Sequence, residues 1–177
     1  MSNLGTPCPR SLWYKVNDAD GGEALRGQTL FKFLYGDILE QLLISLAIAS
    51  GHEVVGCQDT VSIAGIVGHR DCVIDGMVVD IKSASSRAFT KFKEHKLESD
   101  DPFGYLSQLS SYVYAAKDDP LVTNKTHGAF LAVNKENGEI VLDVYDLSSF
   151  IDKKLEEVES LKVMAASSEP HPVPLNL

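Results

Sequence analysis

Two aspartates and a lysine, Asp71, Asp80 and Lys82, have the types and spacing that hold a hard divalent cation beside an ammonium group. The Asp75-Gly76 dipeptide stands between two apolar runs. As a two-residue hairpin turn it sets Ile74 opposite Met77, and therefore Asp71 directly across from Asp80. Alternation along the strands then gathers Asp71, Asp80, Lys82 and His69 on one face, and Cys72, Ile74, Met77, Val79 and Ile81 on the other. The second face is wholly apolar and reads as core. The first presents two carboxylates about 5 Å apart, which like-charge repulsion disfavours unless something neutralises them. Mg2+ or Mn2+ would do so, with the backbone carbonyl of Ile81 as a further ligand between Asp80 and Lys82. The competing reading is a plain Asp–Lys pair on a solvated face. The opposed Asp71 and the apolar back face favour the cation, provided the register holds.

The rest of the chain has to position that hairpin. After an irregular start ending at Gly21-Gly22, Phe31, Leu34, Ile38, Leu42 and Ala49 recur at three- and four-residue intervals, and Gly51 follows; the spacing predicts an amphipathic helix over 28–50. Residues 53–83 are rich in β-branched types and read as a three-stranded antiparallel meander. A short basic helix is expected over 87–96, and a second helix over 102–116 with Phe103, Leu106, Leu109, Tyr112 and Val113 on one side. Strands 127–134 and 139–145 flank the Asn137-Gly138 turn, and a last helix covers 147–163. The order α-βββ-α-ββ-α describes an α/β protein with a mixed sheet flanked by helices, in one domain over 1–164. The tail, 165–177, carries Pro170, Pro172 and Pro174 and is expected to be extended or disordered, or to recruit a protein partner.

Bulk properties bound the function. A chain of 177 residues, 44% hydrophobic, can bury a core. No run is long enough to span a bilayer and no signal-peptide pattern begins the chain, so a cytoplasmic protein without membrane contact is expected. Cys8, Cys57 and Cys72 form no CxxC pair and suit buried thiols. The net charge of −9 argues against a nucleic-acid partner, since phosphate binding is driven by positive charge. Two features work the other way: cation-holding carboxylates are offset when loaded, and Arg87, Lys91, Lys93 and Lys96 are clustered.

The run Gly68-His69-Arg70-Asp71, then Asp75-Gly76, then Val78-Val79-Asp80-Ile81-Lys82-Ser83, resembles motifs II and III of the PD-(D/E)XK nucleases, in particular the RecB-like exonucleases of phages. Glu40 in Gly36-Asp37-Ile38-Leu39-Glu40 and the Gln108-x-x-x-Tyr112 pair stand in the family's order, and Cys8-Pro9-Arg10-Ser11-Leu12-Trp13-Tyr14 is similar to the opening of many RecB-like members. The resemblance implies a restriction-endonuclease-like core and divalent-metal-dependent DNA hydrolysis, as an exonuclease in phage replication, recombination or host DNA degradation. A structure- or sequence-selective endonuclease, or a silent nucleic-acid-binding relative, are the alternatives. Some relatives hold an iron–sulfur cluster through one N-terminal and three C-terminal cysteines; this chain has none after Cys72, so no cluster is expected.

The resemblance also implies roles. Asp71, Asp80, the Ile81 carbonyl and Glu40 would hold the cation, Lys82 would orient water or stabilise developing charge, and Gln108 would hold water or phosphate. Each has a plainer reading beside it: Glu40 as a solvated helix residue, Gln108 as a cap, His69 as packing. Arg87, Lys91, Lys93, Lys96, Tyr112 and Arg26 are the DNA-binding candidates, with Arg70 a further one that parity places on the apolar face. Phe89 and Phe92 interleave with the lysines, to stack on bases or to fill the core. A homo-oligomer is also open.

Overall fold

In the computed structural model, which describes residues 9–18 and 24–167, the chain runs through α1 (Pro9–Asn17), α2 (Gly27–Ala49), β1 (Val54–Val55), β2 (Thr60–Ile63), β3 (Ile66–His69), β4 (Cys72–Ile74) and β5 (Met77–Ala84). It continues through α3 (Ser86–Lys93), α4 (Tyr105–Ala115), β6 (His127–Asn134), β7 (Ile140–Asp146), α5 (Ser148–Ile151) and α6 (Lys154–Ala165). Five strands form one mixed sheet in the order β1-β4-β5-β6-β7, in which only β5 and β6 are parallel. A parallel neighbour cannot be reached by a tight turn, and α3 and α4 supply the crossover.

The hairpin forms as its turn residues demand. φ is +49° at Asp75 and +79° at Gly76, the left-handed pair that a two-residue turn needs, and Ile74 faces Met77. Asp75 accepts the Glu53 N–H at 3.0 Å and pairs with His52 Nδ1 at 2.7 Å, which holds its carboxyl below the usual range and accounts for the residue as a turn group. A Cβ on Gly76 would lie 2.1 Å from Thr123 Oγ1, so the α4–β6 loop closes over this turn only because glycine is there.

Three expectations about the elements themselves need correction. The stretch over 53–83 is five strands rather than a three-strand meander. β1 pairs with β4, and β2–β3 is a separate hairpin between them, because the chain bends at Arg70 and Asp71, which belong to neither strand. The irregular start contains α1, which packs on α6; Trp13 Nε1 donates to the Ser167 carbonyl and Asn17 Nδ2 to that of Ala165, both at 2.8 Å. The last helix is broken into α5 and α6. Residues 168–177, and with them most of the proline tail, lie outside the described residues, as does Cys8.

The sheet is covered on both faces. Val73, Val78, Phe130 and Ala132 meet Phe89 and Phe92 of α3, Leu106, Leu109 and Val113 of α4, and Val158 of α6. Phe89 and Phe92 are both core. On the other face Cys72, Val79, Ile81, Ala129 and Val133 meet Leu43 and Ile44 of α2. The α2 stripe expected to face inward is wrong: Phe31, Leu34, Ile38 and Leu42 are exposed. The helix is apolar nearly all round, so spacing alone did not select its inner side.

Candidate active site

Register carries Asp71 and Asp80 together. The β4–β5 ladder ends at Cys72 opposite Val79, one residue short of the two aspartates, and Asp71 Oδ2 then accepts the Ile81 N–H at 2.7 Å. The Asp71 side chain thus replaces the next rung of the ladder. Asp80 and Lys82 share the face of Phe130 and Ala132, their partners on β6. That face is the one covered by α3 and α4, so Asp80 is only 3% exposed rather than solvated.

Burial governs the electrostatics. The Asp71 carboxyl is pushed up to about 7, first by desolvation and then by the neighbouring Asp80, against the Ile81 hydrogen bond and Lys82. The Lys82 ammonium sits against Asp80 Oδ1. Burial works against that ammonium, but Asp80 and Asp71 more than offset it, and its pKa lies above the ordinary value. Lys82 Nζ also lies 5.2 Å from the centre of the Tyr105 ring.

Glu40 is close enough to Asp71 to raise its pKa, and it accepts a 2.7 Å hydrogen bond from Gln58 Nε2. The backbone N–H of the same Gln58 donates to the Asp71 carbonyl at 3.1 Å, so one residue ties the α2 acid to the hairpin acid. Gln58 adopts φ +56°, a conformation no residue pattern announced. Gln108 lies one turn before Tyr112 on α4, and the Tyr112 hydroxyl is raised first by burial and, less, by Asp80 and Asp71, against the opposing effect of Gln108. Tyr112 is buried in the core and not, as expected from the sequence, a DNA-facing contact. Tyr105, against Lys82, was missed; its aromatic type at the start of a helix that follows a basic one was the available signal.

Other candidates separate from the centre. His69 pairs with Thr60 in the second sheet and is exposed, so it is not opposite Lys82. Arg70 is 1% exposed and lies on no apolar strand face; it bridges Asp59 at 2.9 Å and Asp119 at 2.6 Å, pinning the β2–β3 hairpin to the loop after α4. Lys91 pairs with Asp100, Lys93 with Glu139 and Lys96 with Glu94, so much of the basic cluster is offset by acids. Arg87 and Arg26 are exposed, and among the described residues no ion pair is formed by either. An apolar groove of about 420 Å³ lies on the α2 face, lined by Leu43, Leu46, Met77, Leu131 and Leu142; it has the wrong chemistry for a charged substrate.

A divalent cation fits the acids. Asp80 Oδ1 is buried and receives no well-angled hydrogen bond, and Asp71 keeps Oδ1 beyond the Ile81 contact. Two close, desolvated carboxylates, one of them driven toward protonation, are what a hard cation relieves. Among the described residues no three His, Cys, Asp or Glu side chains close into a full ligand set.

No family model matches the sequence, and no curated protein sequence does either. Solved structures do. The crystal structure of SSO0001 is 16% identical, with a TM-score of 0.54 over 96% of this chain and 77% of that one. The alkaline exonuclease LHK-Exo from Laribacter hongkongensis is 14% identical, with a TM-score of 0.51 over 92% of this chain and 91% of that one. LHK-Exo in complex with dAMP gives 0.52 at 14% identity, over 93% and 86%. At such identities the likeness is one of fold: a five-stranded mixed sheet between helices, the restriction-endonuclease-like core that the sequence led us to expect.

Proposed function

We propose that the chain is a divalent-metal-dependent deoxyribonuclease of the PD-(D/E)XK type, acting as an exonuclease on DNA with Mg2+ or Mn2+. The observation that carries this reading is the pair of half-buried Asp71 and buried Asp80 with the Lys82 ammonium against Asp80, set on a fold shared with an alkaline exonuclease.

Asp71, Asp80 and the Ile81 carbonyl would hold the cation, with Glu40, which accepts a hydrogen bond from Gln58, as the further carboxylate. When bound, the cation supplies Lewis acidity, easing loss of a proton from water and screening the phosphate oxygens. Lys82 directs its positive charge at the phosphate as negative charge builds there, and stays protonated because two carboxylates face it. Asp71 and Asp80 fix the Lys82 position, while Tyr105 shields the ammonium from water on one side. Gln108, half-buried on α4, would hold water or phosphate. Products would carry a 5′-phosphate.

The test is digestion of end-labelled linear DNA and closed circular DNA by purified protein with EDTA, Mg2+ or Mn2+, beside a Lys82→Ala control. Loss of linear DNA alone, dependent on cation and on Lys82, is expected. Cutting of circles would replace the exonuclease with an endonuclease. Binding without any cleavage in Mn2+ would make the chain a silent relative.

A further inference from the structure

Resting on the nuclease reading, we infer that Phe103 is a stacking platform for a nucleobase of a single-stranded or frayed DNA end, placing that strand beside Lys82. Phe103 is 66% exposed, in the loop between α3 and α4. It ends a line of aromatic rings that runs outward from the core. Phe130 lies 5.5 Å from Phe92, Phe92 stacks on Tyr105 at 5.9 Å and 30°, and Tyr105 meets Phe103 at 5.4 Å and 32°. Tyr105 is the ring that Lys82 touches. The inner three rings are accounted for by packing; the outermost offers a free π-face.

The loop is held in shape rather than left to fold inward. Asp101 caps α4 by accepting the Tyr105 and Leu106 N–H groups, both at 2.9 Å. Lys91 pairs with Asp100 at 2.8 Å, and Gly104 takes φ +69° between Phe103 and the helix. Holding a large apolar ring out in water has a hydration cost that an unconstrained loop would avoid by collapse. Every nucleobase has a face to offer such a ring, so the recognition is independent of sequence.

Distance sets which base it meets. Two ring-to-ring and ring-to-ammonium steps, of 5.4 and 5.2 Å, separate Phe103 from Lys82. With bases stacked about 3.4 Å apart along a strand, the base on Phe103 lies within roughly three nucleotides of the phosphate at Lys82. A base paired and stacked within continuous duplex has no free face, so the platform selects an unpaired terminus.

The experiment measures cleavage and, separately, binding without cation. Phe103→Ala should raise KM for a single-stranded oligothymidylate about 5- to 100-fold with little change in kcat, because stacking holds substrate and transition state alike. An abasic residue within the first three positions of that oligonucleotide should weaken the wild-type protein by a similar factor and leave Phe103→Ala nearly indifferent. Phe103→Trp should restore KM, and its indole emission should be quenched by the oligonucleotide in EDTA. An unchanged KM in Phe103→Ala, or an abasic penalty of equal size in both proteins, overturns the platform while leaving the nuclease reading intact. Absence of cleavage by wild type overturns the nuclease reading; the quenching and abasic binding measurements in EDTA then decide the platform by themselves.

Discussion

The two faces of the same strands are built to different standards. Toward α3, α4 and α6 the sheet meets a continuous core, with Leu109, Val113, Phe130 and Val158 fully buried and Lys154 drawn in to bond Ser107 and Glu157. Toward α2 it meets a helix whose Leu43 and Ile44 alone are buried, while Phe31, Leu34, Ile38, Leu42, Leu46 and Ile48 stand in solvent. Asp80 and Lys82 belong to the first face, and the difference explains their electrostatics. The well-packed side excludes water from the carboxylates, and the exclusion raises Asp71. The α2 side contributes Glu40 at its border and otherwise leaves apolar surface unpaired among the described residues.

Substitutions can sharpen or break that contrast. The largest effect is expected at the polar centre of the packed face: Asp80→Asn or Lys82→Ala should lower cation-dependent cleavage by about 10³-fold or more with an unchanged circular dichroism spectrum. Next come matched truncations. Leu109→Ala should cost about 3–4 kcal/mol in urea unfolding, near the upper part of the usual range, and Leu43→Ala about 2–3 kcal/mol, because α2 is free on one side to relax toward the gap. Equal costs would show that the α2 face packs as tightly as the other.

A proton titration separates the faces again. In the unfolded chain the Asp71 carboxyl loses its proton near 3.8, and in the folded protein near 7. Between those values the folded state holds a proton that the unfolded state has lost, so without metal stability should fall as pH rises from about 4 to 7 and then level off. The thermal midpoint should drop by several degrees across that window, and Asp71→Asn should remove the drop. Saturating Mn2+ should remove it too, by replacing the proton. A flat profile in metal-free wild type would mean that Asp71 is solvated. The smallest effect is on the outside of α2: Phe31→Ser or Leu34→Ser should change unfolding free energy by no more than about 0.5 kcal/mol.

Much of the site was legible because it obeys local rules. The Asp75-Gly76 turn fixes the register, alternation puts Asp80 and Lys82 together, and the β6 strand was read to its residue bounds. The cation reading of Asp71 and Asp80 followed from those rules, and the roles of Glu40, Lys82 and Gln108 came from family resemblance. What failed was whatever depends on tertiary contact. The β2–β3 excursion depends on the bend at Arg70 and its bonds to Asp59 and Asp119, one of them far along the chain. The inner side of α2 was misread because apolar residues surround the helix and only the sheet selects among them. Gln58 and Tyr105 matter through their neighbours, Glu40 and Lys82, and no spacing in the sequence links those pairs.

The parallel β5–β6 pairing also dictates an order of events. A ribosome releases the Asp71–Lys82 hairpin well before β6, because α3, α4 and their loops must be made first. At ordinary elongation rates that interval is about 2 to 9 s, during which neither carboxylate has β6 or α4 beside it to exclude water. Their burial is therefore deferred to the late step, when β6 docks and α4 closes over them. Formation of that non-local contact is then the slow step, and the one at which the site's carboxylates leave water.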